Sequence, residues 1–293
     1  MDEIVYLNGS LVPRSGACLS VDDHGFLYGY ALFETMRAYN GRIFLLDRHL
    51  TRLVDTAETI GLTPGLAGID LAQACDETIK ANHLREARVR LTVTNGDAEV
   101  LPWAESRGRC TVVVTARPYT PFPADVYRQG FKVGVASLRR SAGSPMSRIK
   151  STNYLVNVLA RTEAARRGLD EALLLNDRGF IAEGGNSNIF FVVGPRLVTP
   201  SLENGILPGV TRQVVMELAE KLDIKVIEGN IRLSDLARFR EAFITSSVVE
   251  IMPLVGVEME TKRLMTIGDG KPGNLTMKLQ EAYRAKVREE TGY

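Results

Sequence analysis

Lys150 lies in the run Arg148-Ile-Lys-Ser-Thr-Asn-Tyr154 and is a candidate for covalent chemistry. A lysine amine that is held in place and partly desolvated can reach its neutral form and condense with an aldehyde. Ser151, Thr152 and Asn153 are residue types that cap helices, which predicts that Lys150 is fixed just before a helix. The same run also fits a solvated lysine near a helix start, because most lysines are exposed.

Glu183 is the acidic residue that begins the run Glu183-Gly-Gly-Asn-Ser-Asn-Ile-Phe190. A carboxylate beside a pyridine nitrogen favours the protonated ring, which is the form that withdraws electrons from a bound substrate. An ordinary surface glutamate in the turn after Ile181 is the alternative interpretation. A ring that carries an aldehyde would use both Lys150 and Glu183.

An anion site is predicted where Pro208-Gly-Val-Thr-Arg212 begins a helix, because the first N–H groups of a helix are unpaired and its dipole attracts anions. The hydroxyl-rich run Thr245-Ser-Ser247 and the Arg52 guanidinium could contact the same anion. Ordinary helix capping and a solvated arginine are the alternatives. Lysine, carboxylate and anion site together predict pyridoxal phosphate. Besides Lys150 and Glu183, the candidate contacts are Arg52, Leu207, Gly209, Val210, Thr211, Ser246 and Ser247.

Two predicted strands could form a substrate wall, because alternate residues of a strand share a face. An apolar wall with arginines suits an amino acid that has an apolar side chain and a carboxylate. The solvated face of a half-buried antiparallel sheet is an equally good interpretation. The residues that share these faces are Phe33, Thr35, Arg37 and Tyr39 on one strand, and Arg88, Arg90, Thr92 and Thr94 on the other.

The elements that must position these residues form two α+β domains. Asn8-Gly9 and Asn40-Gly41 predict hairpins, and Asp47 can cap a helix. The proline-rich run from Arg117 to Pro123 predicts a boundary. We therefore predict a small domain over residues 1–118, a linker over 119–132 and a larger domain over 133–293 that carries Lys150, with the cofactor in the interdomain cleft. Strands are predicted at 4–7, 11–12, 31–39, 42–46, 88–94, 109–116, 131–137, 172–175, 188–193, 225–227 and 242–246, and helices at about 47–61, 70–82, 152–167, 210–222 and 275–289.

The composition excludes several classes of protein. The 293 residues include 36 Lys+Arg and 35 Asp+Glu, so there is no basic excess for nucleic acid. No apolar run reaches membrane-spanning length, and the start lacks the features of a secretory signal. Three widely spaced cysteines predict reduced thiols in the cytoplasm, and three scattered histidines offer no metal-ligand spacing.

The joint order of these motifs resembles the fold-type IV pyridoxal-phosphate enzymes, or class IV aminotransferases, from Val5 to about Ala285. The resemblance implies that Lys150 is the Schiff-base lysine and that Glu183 is the partner of the pyridine nitrogen. It implies a homodimer that acts on small amino acids and 2-oxo acids. Asn186 stands near the cofactor where Gly or Ser is common, and we include it among the contacts. The resemblance assigns Arg52, Val210, Thr211 and Ser247 to the phosphate, Tyr154 to the ring hydroxyl, Leu207 to one ring face, and Tyr28, Phe33, Thr35, Arg37, Arg90 and Val248 to the substrate pocket.

The motifs indicate the family more clearly than they indicate the particular activity within it. Tyr28, Phe33, Arg37, Tyr154 and the run from Pro208 to Arg212 match branched-chain aminotransferases, which implies an apolar amino donor and 2-oxoglutarate as acceptor. The runs Phe33-Glu-Thr-Met-Arg37, Asp23–Gly29 and Ser247–Pro253 resemble aminodeoxychorismate lyases, which form 4-aminobenzoate and pyruvate. D-Amino-acid and (R)-amine transaminases are further alternatives, although the stretch from Val93 to Ala98 lacks the Arg and His typical of D-amino-acid enzymes.

Overall fold

The computed structural model describes residues 2–97 and 109–293, so Ala98 lies outside the described residues. The chain separates into two compact units. The first unit comprises Met1–Thr120, Ile149–Asn153 and Val287–Tyr293, and the second comprises Pro121–Arg148 and Tyr154–Lys286.

The first unit contains an antiparallel sheet that has six strands in the described part of the chain, in the order β2-β1-β6-β5-β3-β4. Asn8 and Gly9 both have positive φ angles between β1 and β2, and so do Asn40 and Gly41 between β3 and β4, which confirms both predicted hairpins. The strands are β1 (Ile4–Leu7), β2 (Ser10–Pro13), β3 (Ala31–Tyr39), β4 (Arg42–Ile43), β5 (Ala87–Thr94) and β6 (Thr111–Pro118).

The helices of the first unit are α1 (His24–Tyr28), α2 (Leu46–Thr59), α3 (Thr63–Leu66) and α4 (Leu71–Ala81). Asp70 caps α4 by accepting a hydrogen bond from Gln73 N at 2.9 Å. The prediction that Asp47 caps α2 is wrong, because α2 begins at Leu46 and Asp47 lies in its first turn. The apolar faces of α2 and α4 contribute Leu53 and Ile79 to the core of this unit.

The second unit contains a mixed sheet in the order β12-β11-β10-β13-β14-β7-β8-β9, with β15 paired to β14. The pairs β7–β8, β7–β14 and β11–β12 are parallel. The strands are β7 (Phe131–Arg140), β8 (Glu171–Asn176), β9 (Ile181–Gly184), β10 (Asn188–Val193), β11 (Arg196–Pro200), β12 (Val226–Gly229), β13 (Glu241–Ser246), β14 (Glu250–Glu258) and β15 (Leu264–Thr266), and the helices are α5 (Ala124–Gln129), α6 (Leu155–Arg166), α7 (Val210–Lys221) and α8 (Asn274–Thr291), whose last turn belongs to the first unit.

The second unit contains two buried aromatic pairs. Phe190 stacks on Phe243 with ring centroids 5.0 Å apart, and Phe191 stacks on Phe239 at 4.5 Å. β8 is buried at every position and lies between a parallel neighbour, β7, and an antiparallel neighbour, β9.

Two sequence predictions about the site segments need correction, and the alternative interpretation of Glu183 as a surface residue in a turn is wrong. Lys150 was predicted in the second domain, but Ile149–Asn153 belongs to the first unit because it pairs with β3. Thr152 and Asn153 do not cap α6, whose N-cap is Tyr154 without a side-chain bond; both instead donate to the carbonyl of Gly29. Glu183 lies in β9 rather than in a turn.

Within residues 2–97 and 109–293, no helix is both long and apolar enough to cross a membrane. The same residues contain no cluster of His, Cys, Asp and Glu that could hold a metal ion. The three cysteines are free thiols; Cys18 is exposed, and Cys75 and Cys110 are buried.

Candidate active site

The segment Ile149–Asn153 lies along the first half of β3. β4 pairs only with Ala38 and Tyr39, so it leaves the backbone of the first residues of β3 available. There Phe33 N donates to Lys150 O at 3.0 Å, and Thr152 N donates to Ala31 O at 3.0 Å. The lysine therefore sits on a short strand-like segment whose backbone is fixed by the sheet.

The Lys150 amine lies against an aromatic ring. Its Nζ is 4.7 Å from the centroid of the Phe33 ring, and Arg90 Cζ is 3.9 Å from the same centroid. Thr35 lies opposite Arg90 in the β3–β5 register. The prediction that Phe33, Thr35 and Arg90 share one face of the sheet is therefore confirmed, and this face carries an apolar ring with two cationic groups.

Arg52 of α2 binds Glu34 of β3 through two hydrogen bonds. Arg52 Nε donates to Glu34 Oε1 at 2.8 Å, and Nη2 donates to Oε2 at 2.6 Å. His49 Nδ1 also lies 2.7 Å from Glu34 Oε2. The sequence predicted Arg52 as a phosphate contact but gave no role to Glu34 or His49.

Arg37 is buried in an aromatic stack. Its Cζ lies 4.1 Å from the centroid of the Tyr39 ring and 4.7 Å from that of Tyr119. Its Nη2 lies 3.5 Å from Glu86 Oε2. The charge is thus partly offset and the guanidinium is held between two rings, which makes Arg37 a rigid candidate for substrate recognition.

Tyr28 ends the short helix α1 and is half exposed. The helix is anchored at its start, because Asp23 accepts from Gly25 N at 2.7 Å and from Thr94 Oγ1 at 2.7 Å. The Tyr28 ring meets that of His24 edge-on, with centroids 5.4 Å apart. The position of Tyr28 is therefore set by the end of β5.

In the second unit, three groups hold the Glu183 carboxylate. Arg140 Nη1 lies 3.0 Å from Oε1, while Oε2 accepts from Leu207 N at 2.9 Å and from Asn188 Nδ2 at 3.3 Å. The Glu183 side chain is 7% exposed. A buried carboxylate that is paired and hydrogen-bonded in this way is a fixed negative charge.

The start of α7 lies beside this carboxylate. Asn188 Nδ2 donates to Leu207 O at 3.0 Å, and Asn188 Oδ1 occupies the space that a Cβ on Gly209 would need. Gly209 is the N-cap of α7 and supplies no side chain, and the first turn contains no acidic residue. The N–H groups of Val210 and Thr211 are therefore suited to an external anion.

The end of β13 lies next to β10. Thr245 is the register partner of Asn188, so the run from Thr245 to Ser247 begins beside the residue that holds Glu183. Thr245 Oγ1 is buried and has no hydrogen-bond partner among residues 2–97 and 109–293. Ser246 Oγ accepts from Val249 N at 3.3 Å, so Ser246 helps to shape the turn that contains Ser247 and Val248.

Tyr154 donates its hydroxyl to the carbonyl of Gly185 at 3.2 Å. Burial, with a smaller effect of the Glu183 and Glu171 charges, raises the pKa of Tyr154 to about 12, so the phenol stays protonated. Asn186 is exposed, and its amide can satisfy both polar atoms by donating to Glu171 Oε2 at 2.5 Å and accepting from Arg161 Nη1 at 3.3 Å.

The structure thus groups the predicted residues within each unit. In the first unit, Lys150 lies with Phe33, Thr35 and Arg90; in the second, Glu183 lies with Leu207 and the Gly209 turn. Sequence reasoning missed Glu34, His49 and Arg140 as supporting residues. All three act through contacts with residues from other elements. For Glu34 and His49 the local signal is an ionisable residue inside a predicted strand or helix, whereas Arg140 lies beyond the end of the predicted strand.

The comparisons with known proteins agree with this geometry. The family model of class IV amino-transferases matches residues 31–257. A protein of Methanocaldococcus jannaschii with the provisional name branched-chain-amino-acid aminotransferase is 37% identical over 280 residues, covering 96% of this chain and 95% of its own length. The aminodeoxychorismate lyase of Bacillus subtilis is 32% identical, covering 97% of this chain and 95% of its own length.

Among solved structures, the branched-chain amino acid aminotransferase of Escherichia coli has a TM-score of 0.85 and 28% identity, with 97% of this chain and 94% of its own chain covered. A further structure of a branched-chain amino acid aminotransferase, in this case with pyridoxamine 5'-phosphate, has a TM-score of 0.86. These matches confirm the predicted α+β, fold-type IV class. The chain is a transaminase, and it belongs to the class IV aminotransferase family.

Proposed function

We propose that the protein transfers the amino group of a branched-chain or other apolar amino acid to 2-oxoglutarate, with pyridoxal phosphate linked to Lys150. The observation that carries the proposal is the Phe33 face, where an aromatic ring lies against Lys150 Nζ and Arg90. This face offers apolar area for an aliphatic side chain and a cation for a carboxylate. The match to branched-chain enzymes among relatives and solved structures supports the same substrate class.

The residues of each unit fit pyridoxal phosphate. In the first unit, Lys150 offers the amine and Arg52 a cation for the phosphate. In the second, Glu183 offers a fixed negative charge for the ring nitrogen, and the start of α7 offers N–H groups that have no side-chain cap. The buried Thr245 hydroxyl, which has no partner in the described part of the chain, is a further donor near Glu183. Tyr154 is kept protonated by its raised pKa, and its hydroxyl could donate to the ring oxygen by turning away from Gly185 O.

When bound, pyridoxal phosphate supplies a ring that withdraws negative charge from the substrate Cα. Lys150 would hold the cofactor through its amine and, as a free amine, would take up and return the Cα proton. Glu183 keeps a proton on the ring nitrogen, because the ion pair with Arg140 and two further hydrogen bonds hold its carboxylate in one place. These residues position groups and fix charges, which is the protein's part of the catalysis.

The aminodeoxychorismate lyase reaction is the second candidate, because the lyase of Bacillus subtilis is 32% identical to this chain. One assay separates the two. The protein is incubated with L-leucine and 2-oxoglutarate, and separately with aminodeoxychorismate. We expect glutamate in the first reaction and no 4-aminobenzoate in the second; 4-aminobenzoate without glutamate would reverse the assignment. Parallel reactions with D-amino acids and primary amines test the remaining alternatives.

The covalent link is tested by borohydride reduction of the holoenzyme and mass mapping of its peptides. We expect the label on Lys150, and none after Lys150→Ala. Lys80 is an exposed lysine on α4, so Lys80→Ala is the matched control and should leave labelling and turnover unchanged. A label on another amine, or a fully active Lys150→Ala variant, would exclude the proposed role.

We also infer a homodimer. α6 exposes Leu155, Val156, Val158 and Leu159, with exposed fractions of 66, 39, 52 and 47%. Such a run of large apolar side chains on one helix is unusual on a monomer surface and typical of an interface. A second copy of this chain is the proposed partner, since closed homodimers are the commonest oligomers.

A further inference from the structure

We propose that Glu34 and His49 are positioning residues that hold the Arg52 guanidinium in the orientation that binds the cofactor phosphate. The inference rests on the proposed function, because it concerns the phosphate of the cofactor assigned above. It adds a role for two buried residues that do not themselves touch the cofactor. All three residues and the Lys150 segment belong to the first unit, so the argument uses contacts within that unit alone.

The geometry fixes the plane of the guanidinium. Glu34 points from β3 toward α2, where two nitrogens of Arg52 donate to its two carboxylate oxygens at 2.8 and 2.6 Å. These two parallel hydrogen bonds fix the orientation of the guanidinium plane. Arg52 Nη1, the nitrogen outside these two bonds, therefore has its direction set by Glu34.

His49 completes the arrangement from the preceding turn of α2. Its Nδ1 lies 2.7 Å from Glu34 Oε2, the same oxygen that accepts from Arg52 Nη2. His49 is three residues before Arg52 and therefore lies on the same face of the helix. The imidazole thus limits rotation of the Glu34 carboxylate, which in turn limits movement of Arg52.

The charges support this order of action. Burial raises the pKa of Glu34, but the Arg52 charge and the His49 hydrogen bond outweigh burial and lower the pKa to about 2. Burial is also the main reason that the pKa of His49 is lowered, with Arg52 and Lys150 acting in the same direction and Glu34 against them. At neutral pH a neutral His49 therefore donates Nδ1–H to an ionised Glu34.

A purely stabilising role explains this arrangement poorly. Glu34 and His49 are 1% and 2% exposed, whereas the side chain of Arg52 is 14% exposed. A buried ion pair often contributes no more stability than apolar side chains of the same volume. The two fully buried residues, Glu34 and His49, thus hold Arg52, which is the residue of the three that reaches the surface. Lys150 Nζ lies 4.7 Å from the ring centroid of Phe33, the residue that precedes Glu34 on β3.

The test compares apoprotein affinities for pyridoxal phosphate and for pyridoxal, which lacks the phosphate. Their ratio reports the phosphate contact, and a general disturbance of the fold would weaken both ligands equally. We expect Glu34→Gln to reduce the ratio about tenfold to a hundredfold, the loss of one charge-assisted hydrogen bond. Glu58 is an exposed glutamate on α2, the helix that carries His49 and Arg52, so Glu58→Gln is the matched control and should leave the ratio unchanged.

Two further measurements identify the route through Arg52. In an Arg52→Ala background, Glu34→Gln should cause no further loss in the ratio, because its effect is transmitted by Arg52. His49→Leu should reduce the ratio, whereas His49→Asn, which keeps a donor near the position of Nδ1, should restore most of it. These two His49 variants leave the Glu34–Arg52 pair in place, so they can test the inference if Glu34→Gln does not fold.

The outcomes separate this inference from the proposed function. A wild-type protein that forms no borohydride-stable link at Lys150 would overturn the proposed function, and this inference with it. A wild-type protein that binds pyridoxal phosphate at Lys150, with a ratio that Glu34→Gln and His49→Leu do not change, would overturn this inference alone. The inference would also be overturned if Glu34→Gln lowered the ratio equally in the wild-type and Arg52→Ala backgrounds.

Discussion

Arg140 Nη1 lies 3.0 Å from Glu183 Oε1, and both side chains are largely buried. Arg140 is itself held by the backbone, because its Nε donates to Gly205 O at 2.9 Å and its Nη2 donates to Ser147 O at 2.6 Å. The guanidinium therefore has three fixed partners. Its position on β7 makes it the rigid member of the pair, and the carboxylate of Glu183 is oriented against it.

Arg140→Met should weaken the enzyme through Glu183. The substitution keeps apolar volume but removes a charge-assisted contact, for which we expect a loss of about tenfold to a hundredfold in kcat/KM. Steady-state kinetics with L-leucine measure the loss. Arg128→Met is the control, because Arg128 is an exposed arginine on α5. Equal kinetics for the two variants would contradict a role for Arg140.

Arg140 also shows what the sequence does not reveal. The predicted strand ends at residue 137, whereas β7 continues to Arg140 after a register shift against β8. Glu183 and its glycine-rich surroundings form a local pattern, so they can be predicted from the sequence. The partner of Glu183 comes from a strand more than forty residues earlier, and only the parallel pairing of β7 and β8 brings it there.

Phe33→Leu tests the aromatic face beside Lys150. Leucine keeps apolar volume but has no π face for Arg90 Cζ at 3.9 Å and Lys150 Nζ at 4.7 Å. Cation–π contacts contribute about 0.5–2 kcal/mol, so we expect kcat/KM for L-leucine to fall about twofold to thirtyfold. Phe33→Tyr keeps the face and should keep most of the activity. If the Leu and Tyr variants match the wild type, the ring acts only by its volume.

The shared face of Phe33 and Arg90 was predictable, because strand period alone puts alternate residues together and β3 and β5 are regular. The position of Lys150 was not. Its run resembles a helix start, and its true place depends on how early β4 stops pairing with β3. The segment forms hydrogen bonds with backbone groups of β3 that β4 does not pair with, and these bonds outweigh the local capping preference of Thr152 and Asn153.

Gly29→Ala should disturb the Lys150 segment. Gly29 has a φ of 65°, and an added Cβ would clash with Asn153 Oδ1. The Asn153 side chain would have to turn away and lose its bond to Gly29 O, which is 3.0 Å long. We expect a drop in the free energy of unfolding and slower borohydride labelling of Lys150.

Gly68→Ala is the matched control for Gly29→Ala. Gly68 has a φ of 78° but no atom near an added Cβ, so it shares the backbone strain without the clash. That strain costs about 1–2 kcal/mol. Equal losses of stability and unchanged labelling of Lys150 in both variants would show that Asn153 is not coupled to Gly29.

The lowered pKa of His49 leads us to expect a decrease in the free energy of unfolding at mildly acidic pH. Its folded pKa is lowered, mainly by burial, so the unfolded state binds more protons once the pH falls below the ordinary value of about 6.5. The free energy of unfolding should therefore fall from pH 7 to pH 5, by at most about 1.4 kcal/mol per pH unit. The lowered pKa of Glu34 contributes only below this window, as the pH falls from about 4.3 toward 2.

Denaturant unfolding at several pH values measures this slope. His49→Asn should flatten it between pH 7 and pH 5, since the buried titrating group is gone. His83→Asn removes a histidine that lies outside this buried network and should leave the slope as in the wild type. An unchanged slope in His49→Asn would mean that the acid sensitivity comes from other groups.

Charges on the exposed face of α6 test the proposed homodimer. Leu155 and Leu159 lie one turn apart on this helix and are 66% and 47% exposed. If a second copy covers them, Leu155→Glu with Leu159→Glu buries two carboxylates in an apolar contact and should give a monomer in analytical ultracentrifugation. Val54→Glu adds a carboxylate at an exposed valine on α2 and should leave the dimer intact. A dimer that persists in the double variant would place the contact elsewhere on the surface.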